Sequence, residues 1–436
     1  MLHQLIDYIS VFMHRILYSL VCYLLLPIIL LRLLWLSLAV PAYRYRIAER
    51  FGFTNCQPMD KTIWVHAVSV GETLAVAPVV DELLQRYPDF RIIMTTTTPT
   101  GSEQVKNLFG AKVDHVYAPY DLPGSVQRFI RDVTPKLLII METELWPNLL
   151  HHCRKRDCSV LLVNARMSAK SANGYLRFPR LAMAMMSDIK QAAVQSDTDA
   201  ERFNRMGITE SAMVVTGSIK FDVNVSADQR KKVEELKYQW ASEQRPIFVA
   251  ASTHDGEDEL ILEAFSQIKV AAANALLVLV PRHPERFSQV LSLCRLGCWR
   301  VLTRSSGVEL DQSVDILLGD TMGELPLFLG AATVAFVGGS LVPHGGHNML
   351  EASAWGVPVL TGPHVFNFAE ISRLLEESGG LKLVNGSNEL AETVINLIDD
   401  TIKCQKMGLA GLHIVEQNRG ATQRLLALIH NQLTDC

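Results

Sequence analysis

From Asp60 onward, short apolar runs rich in β-branched residues alternate with longer amphipathic stretches. In the first half the runs are TIWVHAV, FRIIMTTT, VDHVYA, KLLIIME, VLLVNA, QAAVQ and MVVTG. Stretches of helical spacing, such as Thr73 to Gln85 and Ser102 to Phe109, lie between most of them. The second half repeats the scheme with PIFVAAS, ALLVLVP, CWRVLT, VDILLGD, VAFVGG, VPVLTG and LKLVN. A strand that is apolar along its whole length must be covered on both faces, so strand–helix alternation of this kind predicts buried parallel sheets. Two such series predict an α/β chain with two Rossmann-like domains facing a cleft lined by the carboxyl ends of the strands, where open α/β sheets bind ligands. The Lys- and Glu-rich stretch Val223 to Arg245 is the expected junction, and the amphipathic stretch Ala421 to Leu433 is expected to be a helix packing back across it.

Ahead of these domains, Ile16 to Val40 is almost continuously apolar. As a helix this segment reaches roughly 37 Å, against a bilayer core of about 30 Å. Arg32 interrupts it and Pro27 can kink it. The segment reads as a single membrane helix, spanning or deeply embedded. A cleaved signal peptide fits less well, because the apolar region is long and no small-x-small site follows. Arg44, Arg46 and Arg50 follow the segment and Arg15 alone closely precedes it. The positive-inside rule then places the large C-terminal part in the cytoplasm, with these arginines within reach of anionic headgroups. The expected division is an anchor at 1–45, a first domain at 46–225, a second at 226–420 and a final helix at 421–436.

Composition narrows the picture by exclusion. A chain of 436 residues is too long for one ordinary domain, and 49% hydrophobic residues can fill sizeable cores. A formal charge of −4 gives no net-charge case for nucleic-acid binding. The cysteines Cys22, Cys56, Cys153, Cys158, Cys294, Cys298, Cys404 and Cys436 form no C-x-x-C pair, which argues against a zinc site and fits a reducing compartment.

Candidate chemistry lies where strands end. After the first run comes His66-Ala67-Val68-Ser69-Val70-Gly71-Glu72. Ser69 and Glu72 have the spacing of a capping box, which is the purely structural reading. A carboxylate at the positive end of a helix is also held ionised and ready to take a proton. Met141-Glu142-Thr143-Glu144-Leu145-Trp146-Pro147-Asn148 follows KLLII, and its carboxylates either complement a helix dipole or form a polar wall. Lys220, in Gly217-Ser218-Ile219-Lys220-Phe221-Asp222, ends the first half as a solvated lysine or a partner for negative charge. In the second half, Pro281-Arg282 follows ALLVLV, and Arg282 is placed either as a surface arginine or for paired hydrogen bonds to phosphate. Met322, Gly323 and Glu324 follow VDILLG, with Thr321 and Glu324 again at capping-box spacing. The loop Gly338-Gly339-Ser340-Leu341-Val342-Pro343-His344-Gly345-Gly346-His347 leads into a helix expected to start near Asn348, where backbone N–H groups can receive phosphate. Asn348 as N-cap with Glu351 as third helical residue is the alternative structural reading. His344 and His347 lack the further ligands a metal site needs. No Walker A, dinucleotide-binding or nucleophile-elbow pattern occurs in these loops, leaving a sugar-nucleotide enzyme as the leading reading.

The ordered strings WVHAVSVGE, TTTTPTGSE, YAPYDLP, METELWPN, VNARMS, GSIKFD, AASTHDGE, VPRHPERF, LGDTMGEL, FVGGSLVPHGGHNMLE and VLTGP resemble the 3-deoxy-D-manno-octulosonic acid (Kdo) transferases, glycosyltransferase family 30. The resemblance covers almost the whole chain. It implies a GT-B fold and inverting transfer of Kdo from CMP-Kdo to the lipid A precursor lipid IVA, without a metal or other cofactor, at the cytoplasmic face of a bacterial inner membrane. It implies Glu72 as proton acceptor, Glu142 and Lys220 as transition-state stabilisers, and Pro281, Arg282, Met322, Gly323, Glu324, Asn348, Met349, Leu350 and Glu351 as CMP contacts. Two other classes remain at this point: a sugar-nucleotide 2-epimerase of the same architecture, and a non-catalytic membrane-anchored nucleotide-binding protein.

Overall fold

The computed structural model of the chain describes residues 2–240 and 245–434. Cys436 and part of the expected junction, residues 241–244, lie outside them. The chain divides into two compact units, Met1–Ile219 with Gly420–Cys436, and Lys220–Arg419.

The first unit carries the strands β1 (Thr62–His66), β2 (Arg91–Thr96), β3 (Asp114–Tyr117), β4 (Leu137–Met141), β5 (Ser159–Ala165), β6 (Gln191–Val194) and β7 (Met213–Val215). They form one parallel sheet in the order β3-β2-β1-β4-β5-β6-β7. Successive side chains of a strand point to opposite faces, and the core divides accordingly. Trp64, Ile93, Leu138, Ile140, Val160 and Leu162 enter one hydrophobic cluster, while Ile63, Val65, Ile92, Met94, Leu137, Ile139 and Leu161 enter the other. The helix Ala421–Thr434 closes this second cluster with Ala421, Leu425, Leu426 and Ile429 on one helical stripe.

The second unit contains β8 (Ile247–Thr253), β9 (Leu276–Pro281), β10 (Val301–Thr303), β11 (Ile316–Leu318), β12 (Val334–Val337), β13 (Val359–Thr361) and β14 (Leu381–Leu383). Their order is β10-β11-β9-β8-β12-β13-β14, again all parallel. The same alternation sends Val249, Val278 and Ala335 to one face and Phe248, Leu277 and Phe336 to the other.

Two expectations change. The division falls at Ile219/Lys220, not within Val223 to Arg245. That stretch contains the helix Ala227–Gln239, capped by Ser226 and Gln229, and Val233 and Leu236 with the following Trp240 are buried in the second unit. Three apolar positions at helical spacing suffice to dock it, and the surrounding Lys and Glu residues hide them in a composition scan. Of the arginines after the apolar segment, Arg46 and Arg50 turn into the first unit. Arg46 donates to Glu49, Ser102 and the His115 carbonyl, and Arg50 is buried with its guanidinium donating to the Thr97 carbonyl. Arg44 donates to the hydroxyl of Ser37.

The final helix is part of the first core, so Ile429→Ala should lower the free energy of unfolding of that unit by about 2–5 kcal/mol. Val270→Ala, at an 89% exposed site, should leave urea and thermal transitions unchanged.

Candidate active site

In the first sheet β1, β2 and β3 progress toward one edge, whereas β4, β5, β6 and β7 progress toward the other. The switch in direction lies between β1 and β4, where a crevice opens beyond the carboxyl ends of strands. Glu72 follows β1, and Glu142 and Glu144 follow β4, so the three carboxylates flank this point. Ser69 caps the helix Val70–Arg86 by accepting from the Glu72 amide at 3.2 Å. The Glu72 carboxylate accepts from the Ser69 hydroxyl and from the Val68 amide, each at 2.8 Å. The capping box therefore exists in a shifted form, with the return bond reaching the residue before the cap.

Glu72 is only 9% exposed. Burial pushes its carboxyl up to about 7, against the bonds from Ser69 and Val68 and with the negative charges of Glu144 and Glu142 adding to the rise. Glu142 takes the left-handed backbone conformation at φ 52°, and its carboxylate accepts from Arg166 Nε at 2.9 Å. Glu144 accepts from the Trp146 indole at 3.0 Å, yet burial still raises its carboxyl above the ordinary range. Trp146 stands edge-on to His66, with ring centroids 4.7 Å apart. His66 is fully buried beside Thr95 Oγ1, which also accepts from Trp64 Nε1, and burial lowers the imidazole to about 3.

The second sheet has its switch between β8 and β12. Arg282 follows β9, which neighbours β8. Its amide donates to the Thr253 carbonyl, and its charge offsets the burial that raises the Glu351 carboxyl. Asn348 Nδ2 donates to Glu351 at 3.2 Å. Pro281 is the last residue of β9, Met349 and Leu350 are fully buried, and Met322 is exposed beside Gly323, which has φ +84°. Glu324 is held by Arg304 through paired bonds, and that contact draws its carboxyl below the ordinary range. Lys220 belongs to this unit rather than to the first, with its ammonium 5.7 Å from the ring centre of Phe368.

Three readings of the second unit are corrected. The glycine-loop amides of Gly339, Ser340 and Leu341 do not await phosphate. They donate at 2.7, 2.9 and 2.9 Å to the fully buried carboxylate of Glu257, which also accepts from the His254 amide. Gly338 is required here, because a Cβ would meet the Ser252 carbonyl oxygen at 2.8 Å. The helix after Asn348 spans only Leu350–Ser353, with Glu351 as its second residue, and so offers little dipole. Thr321 donates to the Glu324 carboxylate, but Glu324 is itself the N-cap residue of Leu325–Ala331 and makes no side-chain cap bond.

Sequence reading also missed groups that chain distance conceals. Glu257 and His254 lie in the AASTHDGE string directly after a strand, which was their one signal. His283, His344 and His347 gather around His254, whose Nε2 lies 2.8 Å from Nε2 of His347. Burial, followed by the neighbouring positive groups, lowers His347 to about 3. Among the described residues, no group of three or more His, Cys, Asp or Glu is arranged to hold a metal ion.

Two Rossmann-type units, each with polar groups collected at the carboxyl ends of a parallel sheet, give the GT-B type of architecture, and the class is set by residues 247–413, which match the family described as glycosyl transferases group 1. Residues 45–223 match the family described as 3-deoxy-D-manno-octulosonic-acid transferase (kdotransferase). The chain is similar to the 3-deoxy-D-manno-octulosonic acid transferase of Haemophilus influenzae, 44% identical over 92% of this chain and 95% of that protein. It is 34% identical to the corresponding transferase of Bordetella pertussis, over 88% and 91%. The chain belongs to the 3-deoxy-D-manno-octulosonic acid transferase family. A crystal structure of UDP-GlcNAc 2-epimerase from Neisseria meningitidis bound to UDP-GlcNAc has a TM-score of 0.53 at 16% identity, covering 86% of this chain and 100% of that one. This likeness concerns the fold alone.

Glu257→Gln should orphan at least one buried donor, at about 1–3 kcal/mol each, and lower the thermal transition of the second unit. For Glu72, the folded value near 7 exceeds the ordinary 4.5, so the native state retains a proton that the unfolded chain has released between those values. Stability from this group is complete below pH 4.5 and is lost as pH rises through 7. Differential scanning calorimetry should therefore show Glu72→Gln gaining in Tm relative to the parent at pH 8, with the gain shrinking toward pH 4.5.

Proposed function

We propose that this transferase moves Kdo from CMP-Kdo to lipid IVA with inversion at the anomeric carbon, at the cytoplasmic face of a bacterial inner membrane. The observation that carries this reading is Glu72: a buried carboxylate at the switch point of the first sheet, raised by its surroundings to about 7. A general base works best when its pKa lies near the working pH, because it is then both ionised and basic.

In this reading Glu72 takes the proton from an acceptor hydroxyl. The oxygen attacks the anomeric carbon from the face opposite CMP, and the bond to the cytidylate breaks. Arg282 meets the charge growing on the departing phosphate. Glu142 and Lys220 are the transition-state stabilisers, and the left-handed backbone at Glu142 fits a carboxylate held for function rather than for the turn. Pro281, Met322, Gly323, Glu324, Asn348, Met349, Leu350 and Glu351 complete the contacts to the cytidylate, with Glu351 suited to ribose hydroxyls. The reading assigns no metal or other cofactor and takes membrane lipid as the surroundings of the acceptor. The apolar helical segment Met13–Ala39, long enough by length and composition to cross a membrane, supports that assignment.

Incubating the purified chain with CMP-Kdo and lipid IVA should give, by mass spectrometry, the acceptor enlarged by Kdo. Unchanged lipid IVA with an active, folded chain would refute the acceptor. Glu72→Gln should lower kcat by about 10²–10⁴-fold. The parent kcat/KM should rise with pH through about 7, and the variant should lose that limb.

A further inference from the structure

We infer that the paired imidazoles of His254 and His347, with His344 stacked on His254 as an outer wall, form the subsite for the carboxylate of the donor sugar, beside the Arg282 assigned to its phosphate. The inference rests on the donor proposed above and deepens it. Kdo carries a carboxylate on its anomeric carbon. In CMP-Kdo two anions therefore hang from that one atom, the carboxylate directly and the phosphate through the ester oxygen. A site for this donor needs two adjoining places for negative charge, and the mechanism above uses only one.

The first observation is position. His254 directly follows β8 and Arg282 directly follows β9, and these two strands pair in parallel as far as Thr253 and Pro281. The Arg282 amide donates to the Thr253 carbonyl at 3.0 Å. His283, next in the chain, stands edge-on to His254 with ring centroids 5.3 Å apart. Burial, then His254, then the charge of Arg282 lower His347 to about 3, so Arg282 lies within electrostatic reach of the pair. The guanidinium and the imidazoles share one corner of the second sheet's carboxyl end, and all belong to the second unit.

The second observation is how firmly the pair is held. The His254 amide donates to Glu257 Oε2 at 2.9 Å, and the Gly339 amide donates to the same oxygen at 2.7 Å. One buried carboxylate therefore clamps both loops that carry the imidazoles. The Gly346 amide closes the glycine loop on the Gly339 carbonyl at 2.8 Å, immediately before His347. A Cβ at Gly339 would meet His347 Cδ2 at 3.0 Å and His254 Cδ2 at 3.4 Å, so both rings lie against that backbone. Ser252 takes the left-handed conformation at φ 57°, where the register between β8 and β9 shifts. Such an irregularity re-aims the side chains after it, and its strain is kept here beside the imidazoles.

The third observation is the proton inventory. The two Nε2 atoms face each other at 2.8 Å, with the rings 8° from parallel. That distance fits one N–H···N bond, whereas metal–nitrogen bonds of about 2.0–2.1 Å at a tetrahedral angle would hold the nitrogens farther apart. Sharing one proton, the neutral pair offers one N–H and one lone pair at its two Nδ1 atoms. One further proton makes both Nδ1 atoms donors, which is the form an anion stabilises. Burial first, and then the neighbouring imidazoles and Arg286, lower His254 to about 4, with Glu257 opposing them. The facing groups are therefore His283, His344, Arg282 and Arg286 on the positive side and Glu257 on the negative, the last already occupied by four amides. His344 lies over His254 with ring centroids 4.1 Å apart.

The test measures binding of two probes, CMP and CMP-Kdo, to the full chain in detergent by titration calorimetry without lipid acceptor. CMP lacks the carboxylate and calibrates the nucleotide contacts. His347→Phe keeps a planar ring but has no N–H. It should weaken CMP-Kdo binding by about 10–100-fold, the loss of one hydrogen bond to a charged group, while CMP binding stays within about twofold. His344→Asn, at an exposed position, should show a selective loss in the same direction, and it decides the matter if His347→Phe lowers the thermal transition. Equal losses for both probes, or no loss, in variants that melt like the parent would overturn the carboxylate subsite and leave the donor assignment standing. Failure of the parent chain to bind CMP-Kdo would overturn the donor assignment itself.

Discussion

A parallel sheet covered on both faces has nowhere to keep polar chemistry except beyond its strand ends, and that constraint organises both units of this protein. Each strand divides its side chains between two hydrophobic clusters, so a charged side chain within a central strand would be stranded in one of them. Apart from the neutral His66 that ends β1, the carboxylates, arginines and histidines of interest accordingly sit in the loops after β1, β4, β8, β9, β11 and β12. In the first sheet they flank the point between β1 and β4 where the strand order turns back on itself.

The two units handle a buried glutamate in opposite ways. Glu257 accepts four backbone amides, which suits a structural pin that shapes the glycine loop. Glu72 accepts one hydroxyl and one amide, beside two other carboxylates, and its proton affinity rises. Glu257 has every lone-pair direction taken up by N–H groups, whereas Glu72 has few donors, and burial pushes its carboxyl up to about 7. A capping role and a catalytic role at Glu72 are therefore compatible, since the cap bonds orient the side chain without saturating it.

Much of this was legible along the chain. All fourteen strands among the described residues overlap apolar runs that stand out by pattern, and the candidate site residues lie at or after their ends. The failures share one cause. A composition scan weighed Val223 to Arg245 as a polar linker because it averages over a helix whose three apolar positions do the docking. The Gly338-Gly339 loop looked ready for an external anion because its internal one, Glu257, lies 82 residues before Gly339. Arg46 and Arg50 looked membrane-facing because their partners Thr97, Ser102 and His115 come later in the chain.

By itself the sequence determined the class of fold, the strand positions and the residue types at the strand ends, because periodicity and turn chemistry are local properties of a chain. Only the tertiary structure decided which strands adjoin, which carboxylates share a neighbourhood and which amides are already occupied. Those outcomes depend on contacts between residues tens to hundreds of positions apart, whose desolvation and hydrogen bonding no local window contains.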